Sequence, residues 1–107
     1  MKPVIRRQRA RLDIEDAVDY YVAVAGEDIA ADFLDAVQAE VALIGQYPEI
    51  GSQRLGYEWG IPGLRTRFLD RFPYGLFYVD LPEHVEVWRV LHTRSDTESW
   101  IRATASD

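Results

Sequence analysis

Two apolar stripes at helical spacing, separated by the single residue Gly26, constrain this chain more than any other feature. Ala10, Ile14, Ala17, Val18, Tyr21 and Val24 recur every three or four residues, which is one face of an α-helix. The pattern starts near Gln8 and stops at Ala25-Gly26, where a glycine readily takes the positive φ that ends a helix. Ile29, Phe33, Val37, Val41 and Leu43/Ile44 form a second stripe, backed by Ala30, Leu34 and Ala36. Glu27 and Asp28 favour its start through the helix dipole, and Pro48 discourages helical geometry at Tyr47. So short a turn allows only an antiparallel hairpin of helices. Each stripe must be buried against something.

From Leu64 the period changes to two. Residues 64–69 read as a strand, 70–74 as a connection and 75–81 as a second strand rich in aromatic and branched residues. Pro82-Glu83-His84 reads as a hairpin turn, and Val85–His92 as a third strand. Strict alternation places Val85, Val87, Arg89 and Leu91 on one face of it, with Glu86, Trp88, Val90 and His92 on the other. Residues 3–7, with Val4 and Ile5, fit a short first strand whose pairing the sequence leaves open. Residues 48–63, with Pro48, Gly51, Gly56, Gly60, Pro62 and Gly63, read as a loop. Beyond the third strand, Trp100 and Ile101 are candidates to dock, and the polar tail after them is expected to fray. The expected fold class is α+β: an N-terminal strand, then an antiparallel two-helix hairpin packed on one face of a C-terminal three-stranded antiparallel sheet. At 107 residues the chain reads as one domain, with about 95–107 as a C-terminal extension.

Cysteine is absent, which removes disulfides, thiol catalysis and cysteine-held metal clusters and suits a reducing compartment. The N-terminus has no apolar core of a secretory signal, and no apolar run is long enough to span a bilayer. A cytoplasmic location without membrane contact is expected.

The net charge of −6 conceals a segregation. Residues 1–11 carry five bases and no acid, residues 12–50 ten acids and no base, and residues 51–107 seven Arg and eight acids. The acidic balance argues against a grip on a nucleic-acid backbone. Of the twelve basic residues, eleven are Arg, the side chain suited to bidentate contacts with carboxylate or phosphate. Those charges serve either as ion pairs within the fold or as a surface for an acidic partner.

Little else carries chemistry. His84 lies in a predicted turn and His92 at a strand end, and the acids are scattered over helix surfaces, so no metal site is expected. No glycine-rich phosphate loop precedes a helix, and no cofactor is implied. Ser52, Ser95, Ser99 and Ser106 lie in loops or the tail without a nucleophile elbow. What remains is a polar set on the strands. Arg65 and Arg67, two apart, share one face, and Arg89, His92 and Arg94 follow on the last strand and its exit. On a half-open sheet face, adjacent Arg residues make a plausible phosphate or carboxylate clamp, and His92 is a candidate acid or base. The alternative for each is structural: pairing of the Arg residues with helix carboxylates, and packing of His92.

Six segments in order resemble one family: Ala10-x-x-Asp13-Ile14 with Tyr20, Ala30-x-x-Phe33, Pro48-x-x-Gly51, Pro62-Gly63-Leu64-Arg65, Phe72-Pro73-Tyr74 with Phe77-Tyr78, and Arg89-Val90-Leu91-His92-x-Arg94-x-Asp96. Together they are similar to the ParE branch of the RelE/ParE superfamily of type II toxin–antitoxin toxins. The resemblance implies a bacterial growth-inhibiting toxin. It also implies a cognate ParD-like antitoxin, a ribbon-helix-helix protein with a disordered C-terminal arm that folds onto the toxin. DNA is then met only through the antitoxin.

Two mechanisms divide that superfamily. The RelE-like branch cleaves ribosome-bound messenger RNA, which requires cations on the scissile phosphate and groups that move protons. Arg65 and Arg67 match its first two cations, and Arg89, His92 and Arg94 complete the residues available for such a set. Its third cation follows a Tyr at the start of the next strand, where this chain has Tyr74-Gly75, and its terminal Tyr or His-Tyr element has no counterpart in His92-Thr93-Arg94-Ser95-Asp96. The ParE branch poisons DNA gyrase, a protein target, without a catalytic constellation. That reading is preferred. It makes the Arg residues an interaction surface, with Arg54, Arg65, Arg67 and Arg71 expected to meet an acidic antitoxin arm. A degenerate toxin that only binds its antitoxin is the blandest alternative.

Overall fold

The computed structural model describes residues 1–106. Its elements run β1 (Val4–Arg6), α1 (Gln8–Ala25), α2 (Glu27–Gln46), a 3₁₀ turn (Pro48–Ile50), α3 (Arg54–Trp59), β2 (Leu64–Phe68), β3 (Tyr74–Asp80), β4 (Val85–His92) and α4 (Thr97–Ala105). The α+β class and the helical hairpin are as expected. Gly26 ends α1 at φ 96° and donates its N–H to the Tyr21 and Val22 carbonyls. Its own carbonyl accepts from Ala30, so one residue both closes α1 and opens α2. A residue with a Cβ is strained at that φ.

The sheet has four strands in the order β1-β4-β3-β2. It is mixed rather than purely antiparallel and three-stranded, because β1 joins β4 in parallel. The Val85 N–H donates to the Pro3 carbonyl and the Arg7 N–H to the Val87 carbonyl. Three residues that look too short to matter thereby become an edge strand held by long-range pairing.

The apolar stripes bury as their spacing requires, except at Val24, which is 60% exposed at the last turn of α1. Ala10, Ile14 and Ala17 of α1, with Phe33, Val37 and Ile44 of α2, pack on Tyr74, Leu76, Tyr78, Val85, Val87 and Val90 of the sheet. Phe33, Val37 and Ile44 are fully buried, and each contributes about 1.5–3 kcal/mol by leaving water. Tyr21, Phe33, Phe72 and Tyr74 join in an aromatic cluster, with ring centroids 5.0–6.2 Å apart.

Three expectations need correction. First, residues 48–63 are not plain loop: they hold the 3₁₀ turn and α3. Glycine at 51 and 56 allows close approach there, which composition alone reads as loop. Second, the alternation in β4 breaks. Phe77 pairs with Arg89 and Tyr78 with Val87, so Trp88 is an extra residue, a β-bulge. Val85 and Val87 face the hairpin, but so does Val90, while Trp88 and Leu91 belong to the opposite face. Third, the tail does not fray through the described residues. Residues 97–105 form α4, with Asp96 as its N-cap accepting from the Ser99 N–H, and Ile101 and Thr104 are buried. Trp100, the other docking candidate, is exposed. Asp107 lies outside the described residues.

As a result, neither sheet face is half-open. Beneath α3 and α4, Ile61, Leu64, Phe77, Val79, Trp88, Leu91 and Ile101 form a second core on the face away from the hairpin. No helix among the described residues is long and apolar enough to cross a membrane.

Tyr78 ties the 3₁₀ turn to the sheet. Its hydroxyl donates to the Pro48 carbonyl at 2.7 Å and accepts the Gly51 N–H at 2.8 Å. A Cβ at position 51 would stand 2.5 Å from that hydroxyl, which is why a glycine is needed. Tyr78→Phe keeps the ring but strands both backbone groups. It should cost about 1–3 kcal/mol, read as a lower urea midpoint at unchanged m-value.

Candidate functional site

The polar set divides between two places. Arg65 and Arg67 lie on β2, an edge strand, and face the hairpin side. Arg89 and His92 lie on β4, with β3 between the two strands, a separation of about 10 Å at ordinary strand spacing. They form no single cluster.

Most of the set has partners within the fold. Arg65 donates to the carbonyls of Glu49 and Gly51, both at 2.9 Å, and so clamps the turn after α2. Arg67 makes a two-point contact with Glu40 of α2, at 2.9 and 3.2 Å. That bond pushes the Arg67 pKa up, against the burial that lowers it. Arg71 reaches Asp32 at 3.4 Å, and Arg54 pairs with Glu58 one helical turn away at 3.0 Å. These last two are 66% and 67% exposed, so their ion pairs are weak and easily exchanged.

Arg89 is 8% exposed and meets Asp13 of α1 through two bonds of 2.7 and 2.8 Å. The same carboxylate accepts the Val90 backbone N–H at 3.0 Å. The reason is topological. β1 ends opposite Val87, which leaves the β4 edge beyond it without a neighbouring strand, and Asp13 takes the place of a strand carbonyl. His92 is held by its surroundings. Its Nδ1 accepts the Arg94 N–H at 3.0 Å, its carbonyl accepts the Ser95 hydroxyl at 2.6 Å, and its ring packs edge-on against Tyr74 at 5.2 Å. The Arg94 side chain is exposed.

Gly75, where the RNase pattern requires a cation, lies on the face away from Arg65 and Arg67. A Cβ there would stand 3.0 Å from the Phe68 ring and 3.2 Å from that of Phe77. No group of three His, Asp or Glu side chains among the described residues could hold a metal ion.

Sequence reasoning overlooked two arrangements. One is Asp13 itself. It sits three residues after Ala10 and four before Ala17, on the apolar stripe, and an acid in that position is the signature of a buried partner. The other joins the two ends of the chain. Arg7 donates to Glu86 at 2.9 Å and to the Thr104 carbonyl at 3.2 Å, and its guanidinium lies 4.9 Å over Trp88. The Trp88 indole donates to Glu86 at 3.0 Å. No local pattern reveals these contacts, because the residues lie 79 and 97 positions from Arg7.

Burial pushes the Glu86 carboxyl up, but the bonds from Trp88, Arg7 and His84 outweigh it and hold the group below its ordinary 4.5. A depressed acid stabilises the fold above its unfolded pKa and loses that contribution as pH falls through the folded value. Between about pH 5 and about pH 3 the native protein should therefore lose more stability than Glu86→Gln, as read from urea midpoints.

The family model for the ParE toxin of the type II toxin–antitoxin system parDE matches residues 4–97. The chain belongs to the ParE toxin family. A solved structure described as the chromosomal ParDE TA system from P. aeruginosa contains a chain of the same fold. It is 20% identical, with a TM-score of 0.73, over 86% of this chain and 96% of that one. No protein of curated function matches the sequence. Membership in the ParE family makes this chain the toxin of a type II pair, with an antitoxin as its partner. α4 begins where the family match ends.

Proposed function

We propose that residues 1–107 act as one ParE toxin domain that inhibits DNA gyrase by binding it in the cytoplasm. A ParD-like antitoxin with a disordered C-terminal arm holds it silent and makes the only contact with DNA. The observation that supports binding over RNA cleavage is the engagement of the sheet cations. Arg67 is held by Glu40 and Arg89 by Asp13, so a phosphate would have to displace two carboxylates. Gly75 adds no cation. Losing one phosphate cation costs about 10²–10³ in rate for such chemistry.

The exposed arginines Arg54 and Arg71 are the part of the set best able to exchange their partners for an acidic antitoxin arm, while Arg65 and Arg67 stay engaged within the fold. Reversing Arg54 and Arg71 together to Glu should weaken the antitoxin complex about tenfold or more, while the melting temperature stays put. A change under about threefold would remove these two arginines from the interface. Arg67→Glu is unsuitable for the test, because it sets a second carboxylate against the largely buried Glu40, where water screens the repulsion far less than at the exposed Arg54 and Arg71 pairs.

Induction of the toxin alone should produce filamentous cells with damaged DNA while messenger RNA stays intact at early times. Early cleavage of messenger RNA, abolished by Arg65→Ala or Arg67→Ala in folded protein, would favour the RelE-like reading.

A further inference from the structure

A cleft of about 310 Å³ opens between α1, the end of β4 and α4. Asp16 and Tyr20 of α1 line one side, Trp100 of α4 and Ser95 another, with Tyr74 and His92 between them. We propose that this cleft receives an arginine side chain from a protein partner, independently of whether gyrase is the target.

Three observations carry the assignment. The first is aromatic surface left in water. Tyr20 is 56% exposed and Trp100 46% exposed, so two aromatic rings bordering the cleft stand partly in water. The second is charge. Asp13 also borders the cleft, but it is committed to Arg89 and the Val90 N–H. The Asp16 carboxylate has no hydrogen bond or ion pair with any described residue, so one carboxylate beside the rings is left for an incoming cation. The third is a precedent inside the fold. The Arg89 guanidinium already lies 5.4 Å from the Trp100 ring centroid, within the reach of a cation–π contact.

Other occupants fit less well. An anion would meet Asp16. An apolar side chain would strip water from Asp16 without replacing its hydrogen bonds. The volume is at the low end of ligand sites, roughly 300–1,000 Å³, enough for one side chain and small for a nucleotide. A guanidinium suits the walls better than an ammonium, since it is planar, stacks on aromatic rings and binds a carboxylate through two N–H groups. Trp100 lies beyond the residues matched by the family model, so family membership alone does not supply this site.

The test uses the whole toxin, ¹⁵N-labelled, titrated with N-acetyl-arginine methylamide. Its neutral isostere N-acetyl-citrulline methylamide and N-acetyl-glutamate methylamide serve as controls. The expected result is saturable shifts at the Trp100 indole N–H and the amides of Asp16, Tyr20 and His92, complete by about 10 mM. Citrulline should bind about tenfold more weakly, and glutamate should leave those signals unmoved. Asp16→Asn should weaken arginine binding about fivefold without moving the melting temperature, because the exposed Asp16 carboxylate has no partner among the described residues to lose. Tyr20→Ala gives a second, independent reading of the aromatic wall. Shifts that rise linearly without saturating, that citrulline reproduces, or that appear equally around Asp28 and Asp35 would overturn the proposal.

Discussion

Asp13→Ala should remove about 3–5 kcal/mol of stability, because it takes the two-point Asp13 carboxylate away from the buried Arg89 charge. That is a large share of the roughly 5–15 kcal/mol by which domains are stable. The loss is compounded by the Val90 N–H, which has Asp13 as its acceptor at 3.0 Å. Removing both charges together, as Asp13→Leu with Arg89→Met, should recover much of the loss, since an apolar pair of similar volume replaces an ion pair at little net cost. Recovery should stop short of the wild type, because the Val90 N–H still lacks a partner. Urea unfolding of the two proteins measures both steps. A single substitution costing under about 1 kcal/mol would mean that water reaches Arg89 in place of Asp13.

The second large effect concerns α4. Ile101→Ala should cost about 2–5 kcal/mol, since Ile101 is fully buried against the face of the sheet away from the hairpin. It should also loosen the Arg7–Thr104 contact that ties the first strand to the last helix. Arg102→Ala, on the exposed side of the same helix and paired among the described residues with nearby Glu98, should change stability by under about 0.5 kcal/mol. Toxicity lost in the first protein and kept in the second would trace the loss to folding. Deleting residues 95–107 therefore confounds target binding with the second core, and substitutions on the exposed side of α4 are the sounder probe.

These two predictions mark where the sequence was readable and where it was not. The hairpin was legible because the Ala10-to-Val24 and Ile29-to-Ile44 stripes are long, and Gly26 separates them. The strand from Val85 to His92 was legible in its limits but not in its faces. One extra residue at Trp88 reverses the alternation, and no local pattern announces a bulge. β1 was visible as a strand, but its parallel pairing with β4 joins residues some eighty positions apart. α4 was hidden by the polar residues around Trp100 and Ile101, although Asp96 followed by Ser99 is a capping geometry. The six resembling segments located the family through positions such as Pro48-x-x-Gly51 and Arg89. They could not show that Tyr78 is what Gly51 makes room for, or that Asp13 is the residue Arg89 meets.

On the proposed reading, this toxin disables gyrase by binding it, with its sheet arginines engaged in holding the fold. The direct measurement is DNA supercoiling by purified gyrase with increasing toxin, alone and with antitoxin, alongside messenger RNA on programmed ribosomes. Supercoiling should stop as the toxin approaches the gyrase concentration, antitoxin should restore it, and the messenger RNA should remain uncut. Undisturbed supercoiling together with cleavage of messenger RNA at the ribosomal A site would contradict the account.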